Sequence, residues 1–205
     1  MNIAIIGSGN VGRALGTSLK RAGHDVTLAA RDEQKTARTA ADLGVRAAAT
    51  PRRAAEGADL VILAVPGDTL EELATELEGA GGAVLVDVTN RMEPDPTVDS
   101  NAERLQRATR TPVVKAFNTV FASRQADPEV DGVPVDGYVA GDDPVAKARV
   151  LSVVESVGLR PVDAGPLAAA RMLEGMAWLN ISRNMDGGSW QSAWRIAEPG
   201  ETKAA

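Results

Sequence analysis

Met1-Asn2-Ile3-Ala4-Ile5-Ile6-Gly7-Ser8-Gly9-Asn10-Val11-Gly12 opens the chain, and this stretch decides the fold. Ile3 to Ile6 is a short, wholly apolar run of the kind that forms a strand buried on both faces. Gly7, Gly9 and Gly12 follow it directly and lead into a helical pattern from about Asn10 to Ala22, the arrangement of a dinucleotide-binding turn. Gly7 permits the tight turn, Gly9 lets backbone approach a pyrophosphate, and Gly12 lets helix and strand pack closely. The helix start then offers free N–H groups and the positive end of its dipole to phosphate. A glycine turn without a ligand is the plain alternative, but it would not call for a strand before the motif, a helix after it and a second strand at the expected distance.

Outward from this unit, strands and helices alternate. Asp25 to Ala30 reads as the second strand, Glu33 to Leu43 as a helix and Val45 to Ala48 as a short third strand. Leu60 to Val65 is an apolar run ended by Pro66-Gly67, as a buried parallel strand should be. A helix from Thr69 to Leu77 and strands over Ala83 to Asp87 and Pro112 to Ala116 follow. Arg91 to Ser100 and Ser123 to Asp136 carry Pro, Asp and Gly without periodicity and read as loops. A late unit has a strand over Tyr138 to Ala140, a helix over Pro144 to Val157 and a strand over Leu159 to Val162. The last helix runs from near Pro166 to about Met185, stopped by Asp186-Gly187-Gly188, and Glu198 to Ala205 reads as a frayed tail. This pattern predicts an α/β fold: a Rossmann-type, doubly wound, mostly parallel sheet with a small C-terminal helical part. The expected division is a nucleotide-binding domain over residues 1–165 and a helical segment with its tail over residues 166–205.

Composition narrows the chemistry. The 205 residues suit one domain of ordinary size with a helical appendage. Apolar residues make up 44% and aromatic ones only 3%, so the core must be Ala, Val, Leu and Ile. Cysteine is absent, which excludes disulfides, thiolate metal sites and cysteine nucleophiles. A net charge of −6 argues against nucleic acid and anionic membranes as partners. The strand that starts at once after Met1 is not a signal peptide, and no apolar run approaches the roughly 20 residues a membrane span needs, so a cytoplasmic location is expected.

The second strand selects the nucleotide. An NAD site usually ends this strand with a carboxylate for the ribose hydroxyls. Here the strand ends Leu28-Ala29-Ala30-Arg31, and a guanidinium follows where the acid is missing. Arg31 suits a 2′-phosphate, because its planar fork donates two parallel charge-assisted hydrogen bonds. Lys35, one helical turn on, adds a second positive charge, while Asp32 and Glu33 fit a helix cap and dipole partners. NADP(H) is therefore the expected cofactor. Ala64, Val65 and Pro66, with Thr89 and Asn90, lie at the carboxyl ends of later strands, which border the ligand crevice in an open α/β sheet.

Acid–base groups are scarce. The lone histidine, His24, lies in the turn before the second strand, at the amino end of the sheet, and reads as structural. Tyr138 opens a short strand, where β-propensity accounts for it. Lys115, at a strand end, is either a proton donor or a structural or phosphate-contacting group. No side chain stands out as catalytic, and no cluster suggests a metal. Hydride transfer between two bound redox cofactors needs neither acid nor base, only rings held face to face with water excluded.

From Val139 the chain reads VAGDDPVAKARVLSVVESVGLRPVDAGPLAAARMLE. With GSGNVG, GHDVTLAAR and Val114-Lys115-Ala116-Phe117-Asn118-Thr119-Val120, this resembles the NADPH-dependent coenzyme F-420 reductase family (F-420:NADP oxidoreductases) and related bacterial dinucleotide-binding reductases. The resemblance implies a Rossmann domain with a small helical C-terminal part, a homodimer, and hydride transfer between NADPH and a deazaflavin with no side-chain catalyst. By position it assigns Ser8, Asn10, Val11, Arg31 and Lys35 to the NADP phosphates and ribose. It sets Pro66 near the nicotinamide, and Asn118, Thr119 and Val120 near the second ring. The chain departs from the family at Ala30, where a serine is usual, at Phe121, where proline is common, and in Ser189-Trp190-Gln191-Ser192-Ala193-Trp194.

All the aromatic residues, two Phe, three Trp and one Tyr, fall between Phe117 and Trp194. Trp190 and Trp194 share a face if that segment is helical. These tryptophans either anchor the last helix or wall a site for a flavin-like ring. The expected function is an NADP(H)-dependent oxidoreductase whose partner is a small-molecule redox cofactor, a deazaflavin such as coenzyme F-420 or a flavin. The alternatives are reduction of a small carbonyl or imine, and a non-catalytic NADP(H) sensor.

Overall fold

The computed structural model describes residues 1–80 and 84–197. The strand start at Ala83 and the tail from Glu198 to Ala205 lie outside the described residues. The elements run β1 (Asn2–Ile6), α1 (Asn10–Arg21), β2 (Asp25–Ala29), α2 (Glu33–Leu43), β3 (Arg46–Ala47), α3 (Pro51–Ala55), β4 (Leu60–Leu63), α4 (Leu70–Leu77), β5 (Val84–Asp87), α5 (Asn101–Ala108) and β6 (Val113–Lys115). There follow α6 (Ala122–Ala126), β7 (Glu129–Val130), β8 (Val133–Pro134), β9 (Asp136–Gly141), α7 (Pro144–Ser156), β10 (Arg160–Gly165) and α8 (Ala170–Met185).

Eight strands form one sheet in the order β10-β9-β6-β5-β4-β1-β2-β3. The order turns back on either side of β1, the doubly wound arrangement of a Rossmann-type fold. The strands are parallel except where β9 meets β6, which pair antiparallel with Lys115 opposite Ala140. Alternate residues of each strand serve opposite faces, as the strand period of two dictates. Ile3, Ile5, Leu60 and Ile62 join Leu15 and Leu19 of α1 and Val150 and Val153 of α7 in one core. Ala4, Ile6, Val61 and Leu63 join Leu70 and Leu73 of α4 and Leu105 of α5 in the other.

The reversal of β9 has a spatial result. Its first residue, Asp136, lies beyond Lys115 in the direction β6 runs, so it sits at the carboxyl end of the parallel strands. A strap of irregular chain over residues 189–197 is fastened there. Asp136 N–H donates to the Trp194 carbonyl at 3.1 Å, and Ile196 N–H donates to Asp136 Oδ2 at 2.7 Å. Arg160 Nε donates to Asp136 Oδ1 at 2.6 Å and Tyr138 Oη donates to Oδ2 at 2.9 Å, so this buried carboxylate is fully used. The strap is not helical, so Trp190 and Trp194 share no helical face.

Some elements differ from expectation. Ser123 to Asp136 is not a plain loop, because it holds most of α6, the β7–β8 hairpin and the first residue of β9. The strand from Leu60 stops at Leu63 rather than Val65, and the last helix begins at Ala170 after a 3-10 turn over Leu167–Ala169. β10 runs on to Gly165 through a register shift between Asp163 and Gly165. α5 has no counterpart among the elements expected from the sequence; it starts at a capping box, Ser100 with Glu103.

The same Glu103 ties α8 to α5. Arg171 Nε and Nη2 donate to its two carboxylate oxygens at 2.8 and 2.7 Å, and Nη2 also donates to Asp99 Oδ1 at 2.6 Å. Burial pushes the Glu103 carboxyl up, but hydrogen bonds from Arg171 and from the Ser100 N–H and hydroxyl outweigh this and hold it down at about 2. A carboxyl depressed in the folded state stabilises the fold above its ordinary value of 4.5, and that contribution is lost as pH falls from there towards 2. Arg171→Ala is expected to destabilise the fold at neutral pH. It should also move the midpoint of acid unfolding, followed by circular dichroism, to higher pH. An unchanged acid midpoint would remove Glu103 from this role.

Candidate functional site

The glycine turn after β1 is shaped by two contacts within the protein. Gly7 has φ +119°, and a Cβ there would lie 2.1 Å from the Ala64 carbonyl oxygen at the end of β4. A Cβ on Gly12 would lie 1.9 Å from the Gly7 carbonyl oxygen. Gly9 is different. Its φ of −76° is open to any residue, and a Cβ there would meet no protein atom within 4 Å. Protein packing therefore explains Gly7 and Gly12 but leaves room above Gly9, as a cradle for an approaching ligand requires. The first turn of α1 has no side-chain cap, which leaves its N–H groups and dipole end to that space.

A cleft of about 380 Å³ opens beside this turn. Gly7, Ser8 and Gly9 form its floor; Ala64, Val65 and Pro66 line the side after β4; Arg31 and Lys35 line the side after β2. Neither of these two cations has an ion-pair partner among the described residues, and both are exposed. Asp32 also borders the cleft, but its Oδ1 accepts the Lys35 backbone N–H at 2.9 Å and so caps α2. Thr36 Oγ1 donates to the Asp32 carbonyl at 2.7 Å, and its second contact is Ser8 Oγ at 3.4 Å.

Asn10 and Val11 are exposed in the first turn of α1 and do not line the cleft. Asn90, Asn118, Thr119 and Val120 form a second group beyond the ends of β5 and β6. Asn118 Nδ2 donates to Asn90 Oδ1 at 2.9 Å and to the Leu173 carbonyl at 3.0 Å. Asn90 Nδ2 donates back to the Asn118 carbonyl at 3.2 Å. These bonds fix both amide orientations and leave Asn118 Oδ1 buried without a partner, as is Thr119 Oγ1. Phe117, just before them, is held at φ +60°, a strained conformation for a bulky residue.

Sequence reasoning missed the far wall of the cleft: Pro51 of α3 and Thr69, Glu72, Leu73 and Glu76 on and before α4. The Thr50-Pro51 start of α3 was legible, a capping hydroxyl followed by proline at the first helical position. Nothing local says that this helix faces Arg31.

Lys115 is a strut. It is fully buried, and its Nζ donates to Asp87 Oδ2 at 2.8 Å, Glu174 Oε1 at 2.8 Å and the Thr89 carbonyl at 2.6 Å. His24 packs near Ser156 and the chain start; burial and the terminal ammonium both lower its pKa. Burial and Asp136 push the Tyr138 hydroxyl far up. None of the three lines the cleft. Among the described residues no group of three His, Cys, Asp or Glu side chains could hold a metal ion. Nor is any helix among them long and apolar enough to cross a membrane.

Residues 2–91 match a family model described as NADP oxidoreductase coenzyme F420-dependent. Metalloreductase STEAP3 of Rattus norvegicus is 32% identical over 178 residues, covering 84% of this chain and 35% of that protein. The chain thus spans about a third of the length of this curated relative. A solved structure from Arthrobacter sp. FB24, provisionally assigned as an F420-dependent NADP reductase, is 28% identical with a TM-score of 0.83, over 97% of this chain and 100% of the other. The hypothetical protein SMa0349 of Sinorhizobium meliloti is 30% identical with a TM-score of 0.74, over 83% of this chain and 87% of the other.

The glycine geometry predicts unequal effects on stability. Gly12→Ala should destabilise by roughly 1–3 kcal/mol or more, since backbone must shift. Gly9→Ala should stay within about 0.5 kcal/mol. Denaturant unfolding of the two variants checks this, and equal losses would contradict it.

Proposed function

Residues 2–91 belong to the coenzyme F-420-dependent NADP oxidoreductase family, and from that premise we propose that the whole chain is an NADP(H)-dependent oxidoreductase that exchanges a hydride with a flavin or deazaflavin such as coenzyme F-420. The observation that carries the choice of nucleotide is the end of β2. Arg31 and Lys35 line the cleft, and Asp32 between them uses Oδ1 to cap α2. A 2′-phosphate there meets two unpaired cations, and β2 itself ends on Ala29, followed by Ala30, without the strand-end carboxylate that usually receives a ribose diol.

When bound, the dihydronicotinamide supplies a hydride, and the acceptor completes its two-electron reduction with one proton from solvent. The residues of the chain act by binding and placement. The α1 N-terminus and the space above Gly9 receive the pyrophosphate. Ala64, Val65 and Pro66 bound the path from the glycine turn towards β5, and so set where the reactive ring stops. Asn90 and Asn118, locked to each other, give that end of the crevice a rigid polar wall. Holding two rings in contact in this way supplies proximity and water exclusion, which is the catalysis such a transfer needs. His24, Lys115 and Tyr138 lie outside the cleft and are given no acid or base role in this reading.

Two measurements test this reading. Arg31→Ala should weaken NADPH binding roughly 10- to 100-fold and leave NADH binding nearly unchanged, while Gly9→Ala should weaken both. Loss of equal size for NADPH and NADH in Arg31→Ala would refute the 2′-phosphate assignment. NADPH oxidation by the pure protein, supplied in parallel with oxidised coenzyme F-420, FMN, FAD and no acceptor, tests the acceptor class. Tight NADPH binding without turnover on any of these would move the acceptor to small carbonyl compounds.

A further inference from the structure

Trp190 sits at an unusual point of the chain. Its φ is +54°, a left-handed conformation that strains a bulky side chain. Its backbone is pinned on both sides: the N–H donates to Asn184 Oδ1 at 2.8 Å, and the carbonyl accepts from Ser123 Oγ at 2.5 Å. The next carbonyl, of Gln191, accepts from Arg124 Nε at 2.8 Å. Yet the side chain so carefully placed is 41% exposed, so it returns little burial to the core. Its ring contact is Phe121, with centroids 5.2 Å apart and planes tilted by 59°.

Phe121 follows Thr119 and Val120 on the loop after β6, and Asn118 Oδ1 and Thr119 Oγ1 on that loop are buried polar atoms without partners. Buried polar atoms are nearly always hydrogen-bonded, so these two, like Gln125 Oε1 and Glu174 Oε2, have bonding capacity left for a further partner. The reversed strand β9 fastens the strap that carries Trp190 to the same end of the sheet, through Asp136 and Trp194.

We infer that Trp190, with Phe121, is the stacking platform for the ring of the second redox substrate, a planar fused heteroaromatic of the flavin or deazaflavin kind. This rests on the hydride-transfer reading above. Aromatic faces stack offset or edge-to-face with ring centroids 4.5–7 Å apart, and a fused ring system offers the area that a tilted aromatic pair can cover. The unpaired Asn118 oxygen and Thr119 hydroxyl match the alternating N–H and C=O edge of such a ring. A small carbonyl substrate would leave both the aromatic surface and these polar atoms unused.

The test is equilibrium binding to the full chain loaded with NADP+, read by the fluorescence anisotropy of FMN and of oxidised coenzyme F-420 in separate titrations. Wild-type protein is expected to bind at least one of them. Trp190→Ala should lose roughly 10-fold in that affinity, Trp190→Phe should recover most of it, and NADP+ affinity should stay within about twofold. Binding of FMN alone makes the ring a flavin; binding of F-420 alone makes it a deazaflavin. If NADP+ binds but neither ring does, or if Trp190→Ala holds the ring as well as wild type, the inference is overturned. Failure of wild-type protein to bind NADP+ would instead bring down the reading on which it rests.

Discussion

Lys115 Nζ, fully buried, lies between Asp87 at the end of β5, Glu174 in the second turn of α8 and the carbonyl of Thr89. Burying an ammonium and two carboxylates is expensive, and removing one partner from such a set typically costs several kcal/mol. Each carboxylate is bonded further through one oxygen, while Glu174 Oε2 is buried without a partner. Asp87 Oδ1 accepts the Thr89 N–H, and Glu174 Oε1 accepts the Asn101 N–H at the start of α5. One cation thereby fixes the carboxyl ends of two strands, the start of one helix and the helix that closes the chain. The loop with Asn118 and Thr119 begins immediately after it, and the geometry of that loop depends on this anchor.

The two sides of the crevice are built on different physics. On the nucleotide side the constraint is steric: Gly7 and Gly12 let backbone pass where a methyl group would not fit. On the far side it is polar and strained: Asn90 and Asn118 lock each other, and Phe117 is held at positive φ. The steric side leaves a cradle of fixed shape for a ligand common to many proteins. The polar side rests instead on a few side chains and their hydrogen bonds.

The nucleotide half was legible because its signals are local. The apolar run Ile3 to Ile6, the glycine spacing and the Ala30-Arg31 strand end all lie within one βαβ unit, and Gly7, Ser8, Gly9, Arg31, Lys35 and the Ala64 to Pro66 turn meet around one cleft. The far wall was not, because Pro51, Glu72 and Glu76 reach the cleft only through the packing of α3 and α4. α6 and the β7–β8 hairpin were hidden by shortness, since elements of five and two residues are too brief to show a period. The role of Lys115 stayed open for a similar reason: one of its carboxylates lies 59 residues away on α8.

The antiparallel β9 also divides the molecule by what each part can afford to change. The β7–β8 hairpin turns at Asp131-Gly132 and hands the chain to Asp136 at the crevice end, outside the eight-stranded ladder. Residues added at that turn would lie outside the ladder and shift no strand register. A longer hairpin or a redrawn C-terminal strap would therefore leave the half built around the glycine turn unaltered.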